Sequence, residues 1–165
     1  MTANAAPTPQ ESVLIALTRL ATAWSSPRVQ AQVAIDAGVQ IDTADIPAVY
    51  LLGHDGPLRA GTLATLLRLS PPTMSKQLRR LEDAGLVQRT EDADDRRARV
   101  LALTPAGRAA YDALAARGLT MIEQALADWS ADEVADLAAH VDRLVTALVR
   151  TTAPDATRAA AARTP

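Results

Sequence analysis

The chain has no cysteine and no phenylalanine, and only two tryptophans, two tyrosines and two histidines among its 165 residues. The missing cysteine excludes disulfides, thiolate metal sites and thiol-based redox sensing. His54 and His140 lie far apart in sequence, so a transition-metal site is not expected, and no cofactor is implied. With so few aromatics the core must be built from Leu, Val, Ile and Ala, which favours helices with small side chains at close contacts. Long hydrophobic runs are also missing. No stretch approaches the ~18–20 apolar residues that span a bilayer, so no membrane partner is expected. The N-terminus has no basic segment and Arg19 interrupts its one apolar run. That reading predicts no signal peptide and a cytoplasmic location.

The formal net charge is −2, which by itself argues against a nucleic-acid ligand. Its distribution argues the other way. Residues 59–99 hold nine Lys/Arg and six Asp/Glu, a net of +3, leaving −5 for the rest of the chain. A positive middle between acidic flanks fits a DNA-reading module on an acidic scaffold, although chance clustering on a charged surface would look the same.

The length suits one compact domain. Residues 1–8 are small and polar and are expected to be disordered, as is the Ala- and Thr-rich tail at 153–165. Thr8-Pro9-Gln10-Glu11 is a capping box, followed by Val13, Leu14, Leu17, Leu20, Ala21 and Trp24 on one helical face. Ser26-Pro27 starts a shorter helix that Gly38 ends. A third helix covers roughly residues 43–53, and Pro47 requires it either to start near Asp45 or to kink. Gly56-Pro57 makes a turn, and Leu63, Ala64, Leu66 and Leu67 mark the next helix. Ser70-Pro71 opens another, with Met74, Leu78 and Leu81 inward and Gly85 as its left-handed cap. The period then changes to that of two short strands, residues 86–91 and 100–104, around a charged loop. Thr104-Pro105 caps a long helix to about Trp129. Ser130-Ala131-Asp132-Glu133 boxes a last one, with Val134, Leu137, Val141, Leu144, Val145 and Leu148 at near-heptad spacing.

The expected fold class is therefore mainly α with a small β-hairpin: a winged helix-turn-helix, in which the second helix of the pair enters the major groove of duplex DNA. With Met74, Leu78 and Leu81 inward, the opposite face of that helix presents Pro72, Thr73, Ser75, Lys76, Arg79, Arg80 and Asp83. Hydroxyl and cationic donors of this kind read guanine edges or hold phosphates. An ordinary solvated face would be equally polar, though usually with Glu and Lys more evenly mixed. The hairpin tip, residues 92–99, sets Arg96, Arg97 and Arg99 beside Asp92, Asp94 and Asp95. Such a tip can insert an arginine into the minor groove, with an aspartate orienting the guanidinium; a self-neutralised surface loop is the plain alternative.

In Gly56-Pro57-Leu58-Arg59, Leu63-Ala64, Ser70 to Gly85, Leu86-Val87, Asp92 to Arg97 and Leu103-Thr104-Pro105-Ala106-Gly107 the chain resembles the MarR family of regulators. The most specific element is the wing signature Asp-x-x-Asp-Arg-Arg, leading through a short strand into Leu-Thr-x-x-Gly. The resemblance runs in register from about residue 10 to 150, with its specific motifs confined to 56–107. Two positions depart from it: Arg68 stands where a glycine is usual before the recognition helix, and Ala93 replaces a common wing proline. Both bear on local turn geometry. The resemblance implies that Thr73, Ser75, Lys76 and Arg79 contact the major groove and that Arg97 is the wing-tip arginine, positioned by Asp95. It also implies one domain over 9–152, with the DNA-binding lobe at 43–104 and a helical dimerisation region at 9–42 and 105–152.

Taken alone, the first helix and the last two would expose long apolar stripes. A homodimer would bury them and set two recognition helices about 34–36 Å apart; packing within the monomer is the alternative. Members of the family commonly release DNA when a small aromatic or phenolic effector binds between the dimer helices and the DNA-binding lobe. Trp24, Tyr50 and His54 are candidates to line such a cavity, against the commoner role of a helical Trp or Tyr in core packing. The expected function is a ligand-responsive transcription regulator, most often a repressor, acting as a homodimer on a pseudo-palindromic operator. The alternative is a sequence-independent architectural DNA-binding protein, and a protein-binding use of the winged helix stands between them. No Ser-His-Asp or Cys-His constellation, phosphate-binding glycine loop or paired-histidine motif points to an enzyme.

Overall fold

The computed structural model describes residues 6–91 and 98–152. Expectations for residues 1–5, for the wing tip at 92–97 and for the tail at 153–165 lie outside them. Among the described residues the elements run α1 (Pro9–Trp24), α2 (Pro27–Asp36), α3 (Ile46–His54), α4 (Ala60–Leu66), α5 (Pro71–Asp83), β1 (Val87–Glu91), β2 (Arg99–Leu103), α6 (Pro105–Ala125) and α7 (Ala131–Thr152). The chain divides into two compact units, one reaching to Thr120 and the other beginning at Met121, with the division inside α6.

Helix starts follow the local chemistry. At α1, Thr8 Oγ1 accepts the Glu11 N–H at 3.3 Å and the Glu11 carboxylate accepts the Thr8 N–H at 2.7 Å. The backbone N–H, and then the Thr8 hydroxyl, hold Glu11 below its ordinary pKa. The expected disorder of residues 1–8 therefore stops short of Thr8, because this reciprocal cap fixes it. Ser130 and Glu133 repeat the box at α7, with bonds of 3.3 Å and 2.8 Å. Pro47 does not kink α3. The helix starts at Ile46 with Asp45 as its N-cap, which puts the proline in the first turn where no intrahelical N–H bond is lost. Gly85 takes φ +69 after α5, the left-handed cap that the sequence calls for. The long helix after Thr104 ends at Ala125, four residues short of the expected Trp129.

The core of the first unit joins Ile46, Val49 and Leu52 of α3, Leu63 of α4, Met74, Leu78 and Leu81 of α5, Leu101 of β2 and Leu114 of α6, all nearly inaccessible. β1 and β2 pair antiparallel, Val87 opposite Leu103 and Glu91 opposite Arg99. A third edge is added by Leu58, which exchanges both backbone bonds with Leu101 at 2.8 and 3.0 Å and so ties the segment before α4 to the wing. The connection into α6 is tight. Thr104 Oγ1 donates to the Gly85 carbonyl at 2.6 Å and accepts the Gly107 N–H at 3.0 Å. A Cβ on Gly107 would fall 1.9 Å from the Leu86 carbonyl oxygen, so no larger residue fits there.

Outside this core the helices are not covered. α1 has no buried residue, and Leu14 and Leu20 are 65% and 59% exposed. On α7, Leu137, Val141, Val145 and Leu148 form an exposed apolar stripe. Among the described residues no helix is long and apolar enough to cross a membrane.

Candidate nucleic-acid interface

α5 is fixed from beneath by its apolar stripe and at its start by Ser70, whose Oγ accepts the Thr73 N–H at 3.4 Å and lies 2.8 Å from the Thr73 hydroxyl. Pro72, Thr73, Ser75, Lys76 and Arg79 are all exposed on one side, while Met74, Gln77, Leu78 and Leu81 are buried on the other. Among the described residues neither Lys76 nor Arg79 has a carboxylate partner, so both carry free positive charge on the outward face. The face expected from the helical wheel is thus assembled, with one exception.

The exception is Arg80. Its Nε donates to Asp45 Oδ2 at 3.0 Å and its Nη2 to Asp45 Oδ1 at 2.6 Å, and Asp42 comes within 3.9 Å. Asp45 is 2% exposed, and its hydrogen bonds raise Arg80 above the ordinary arginine pKa. The guanidinium is drawn back to the start of α3 because a carboxylate leaving water there needs a bidentate cation. Arg80 is therefore a tie between α3 and α5 rather than a free donor. Gln77 makes a second tie, its Nε2 donating to the Ala44 carbonyl at 2.7 Å. Sequence reading missed both. The signal for Gln77 was its place on the inward stripe between Met74 and Leu81; Arg80 gave none, since its partner is 35 residues away.

The wing is braced against the same helix, Arg89 Nε of β1 donating to Glu82 Oε1 of α5 at 2.7 Å. Arg99 is exposed at the start of β2. The tip residues Asp95, Arg96 and Arg97 lie outside the described residues.

A cavity of about 600 Å³ opens in the same unit between the end of α1, the start of α2, α3 and the end of α4. Trp24 and Tyr50 both line it, with Pro27, Ile46, Pro47 and Leu67. The Tyr50 hydroxyl donates to the Leu114 carbonyl at 2.9 Å, and its ring meets Tyr111 edge-on at 5.9 Å. Burial, and then Tyr111, push the Tyr50 phenol above its ordinary pKa. His54 does not join them. Its side chain is 82% exposed and its Nδ1 lies 2.7 Å from Asp55, because at the last position of α3 it points off the helix end rather than back over the turn that faces the cavity.

Residues 44–98 match the MarR family, a span that runs from the loop before α3 to the return of the wing. An uncharacterised HTH-type transcriptional regulator of Bacillus subtilis, YwoH, is 29% identical over 96 residues, covering 58% of this chain and 69% of that protein. A probable transcriptional regulator from Pseudomonas aeruginosa is 32% identical, covering 73% of this chain and 90% of its own, with a TM-score of 0.50. A MarR family protein from Bacillus stearothermophilus superposes with a TM-score of 0.71 over 87% of this chain and 99% of its own; at 19% identity that likeness speaks to the fold. With an exposed cationic helix braced by a hairpin, and with these relatives, the chain belongs to the MarR family and is a DNA-binding transcription regulator rather than an enzyme.

Proposed function

We propose that the chain is a cytoplasmic repressor that binds a pseudo-palindromic operator as a homodimer and releases it when a small aromatic molecule enters the cavity beside Trp24 and Tyr50. The observation that carries the DNA reading is the outward face of α5, where Thr73, Ser75, Lys76 and Arg79 stand exposed beside a braced wing. Hydroxyls and unpaired cations at the start of a recognition helix are the groups that meet base edges and phosphates. In this reading Arg97, oriented by Asp95, enters the flanking minor groove, and Arg96 and Arg99 follow the backbone. The dimer is supported by the uncovered apolar faces of α1 and α7, which a second copy would remove from water.

Fluorescence anisotropy on the DNA upstream of the chain's own gene, against a scrambled duplex at equal salt, tests this. Specific binding stronger by roughly 10³-fold or more is expected, a ratio typical of operator recognition. Equal, salt-sensitive binding to both duplexes would instead identify an architectural protein.

A further inference from the structure

We propose that the ligand taken by the Trp24–Tyr50 cavity is a neutral aromatic molecule bearing a hydrogen-bond donor, and that aromatic carboxylates are excluded. The inference rests on the ligand reading above and narrows it. Its first ground is charge: no Asp, Glu, Lys, Arg or His lines the cavity. The one guanidinium that reaches the adjoining segment, Arg80, is already neutralised by Asp45. A carboxylate entering such a space would lose its hydration and gain no counter-charge.

The second ground is the state of the polar groups in the wall. Tyr50 donates its hydroxyl to Leu114, and Ser25 donates its own to the Ala21 carbonyl. Gln30 donates Nε2 to the Trp24 carbonyl at 2.7 Å. That carbonyl can only accept, so the orientation of the Gln30 amide is fixed and Oε1 is the atom left over. It is shielded from solvent and has no donor, alone in this among the described residues. A ligand O–H or N–H bonded to it would complete a group that the protein leaves incomplete. The wall's remaining donors, the Thr43 hydroxyl and the Trp24 indole, are neutral.

Two helix starts adjoin the cavity, and helix starts favour anions. Here each is blunted. Pro27 and Pro47 remove an N–H from the first turns of α2 and α3, and Asp45 already sets a carboxylate at the second.

The test is calorimetric titration of the full-length protein with 2-naphthol, 2-methoxynaphthalene and naphthalene-2-carboxylate, three probes on one skeleton. At pH 7.5 the naphthol is expected to bind at least ten-fold more tightly than the carboxylate and several-fold more tightly than the methyl ether. A Thr43→Arg variant, which brings a cation to a half-exposed wall position, should narrow or reverse the gap between naphthol and carboxylate. Carboxylate binding as tight as naphthol in the parent protein would overturn the proposed ligand class and leave the cavity reading standing. A naphthol-to-carboxylate ratio unchanged by Thr43→Arg would overturn the assignment to this cavity. Binding by none of the three would overturn the ligand reading, and this inference with it.

Discussion

Arg68 holds its backbone at φ +54 in the turn between α4 and α5, a region that side chains other than glycine enter at a cost. The left-handed conformation costs roughly 1–2 kcal/mol for such a residue, and glycine gives back roughly 0.5–1 kcal/mol in chain entropy. Arg68→Gly is thus expected to stabilise the protein by about 0.5–1 kcal/mol, read as a higher urea midpoint with an unchanged slope. The departure from glycine was visible in the sequence as a departure; that the turn keeps its left-handed geometry regardless was not, because only tertiary packing forces arginine to adopt it. Lys76 poses the complementary case. It was legible as a surface cation from the helical wheel, and the structure leaves it unpaired on that face. Lys76→Ala should weaken operator binding and flatten its log–log salt dependence by about one unit if the ammonium meets a phosphate. An unaltered slope would put Lys76 on a base edge or away from the DNA.

At the level of elements, the caps were the most legible features and the ties between elements the least. A capping box needs four consecutive residues, so Thr8–Glu11 and Ser130–Glu133 could be read directly. The Leu58–Leu101 bridge joins positions far apart through backbone atoms alone, and leaves no pattern in the side chains. The Leu-Thr-x-x-Gly motif lies between these extremes: readable as a signature, explained only by geometry. Its threonine ties the Gly85 carbonyl to the first turn of α6, and its glycine lets that turn lie on the backbone of Leu86. Gly107→Ala must push α6 off the hairpin and is expected to cost about 1–3 kcal/mol or more, measured by chemical denaturation. The α3–α5 tie gives a second expectation. Asp45→Asn keeps the shape but removes the charge from the Arg80 pair, and Arg80 is exposed enough to recover part of its hydration. A loss of about 1–2 kcal/mol should follow, and an equally stable variant would show the pair to be dispensable.

For the whole molecule, the composition and the alternating periods sufficed for the fold class, since both follow from which faces must leave water. They did not reveal where the chain divides, because α6 is one uninterrupted helix to the sequence and yet passes from one compact unit to the other. The uncovered faces lead to the last expectation. Leu20→Glu, placed on the exposed stripe of α1, should shift sedimentation from dimer toward monomer and lower the thermal midpoint by an amount that shrinks as protein concentration rises. A helix with no buried residue of its own has a further consequence. If a second copy supplies its cover, each protomer is complete only in company, and the population of competent molecules obeys mass action. Below the dimer dissociation constant, operator occupancy then grows as the square of the amount of chain present, so a twofold rise in expression brings about a fourfold rise in occupied sites. α1 would make the repressor a threshold device, silent when scarce and decisive once abundant.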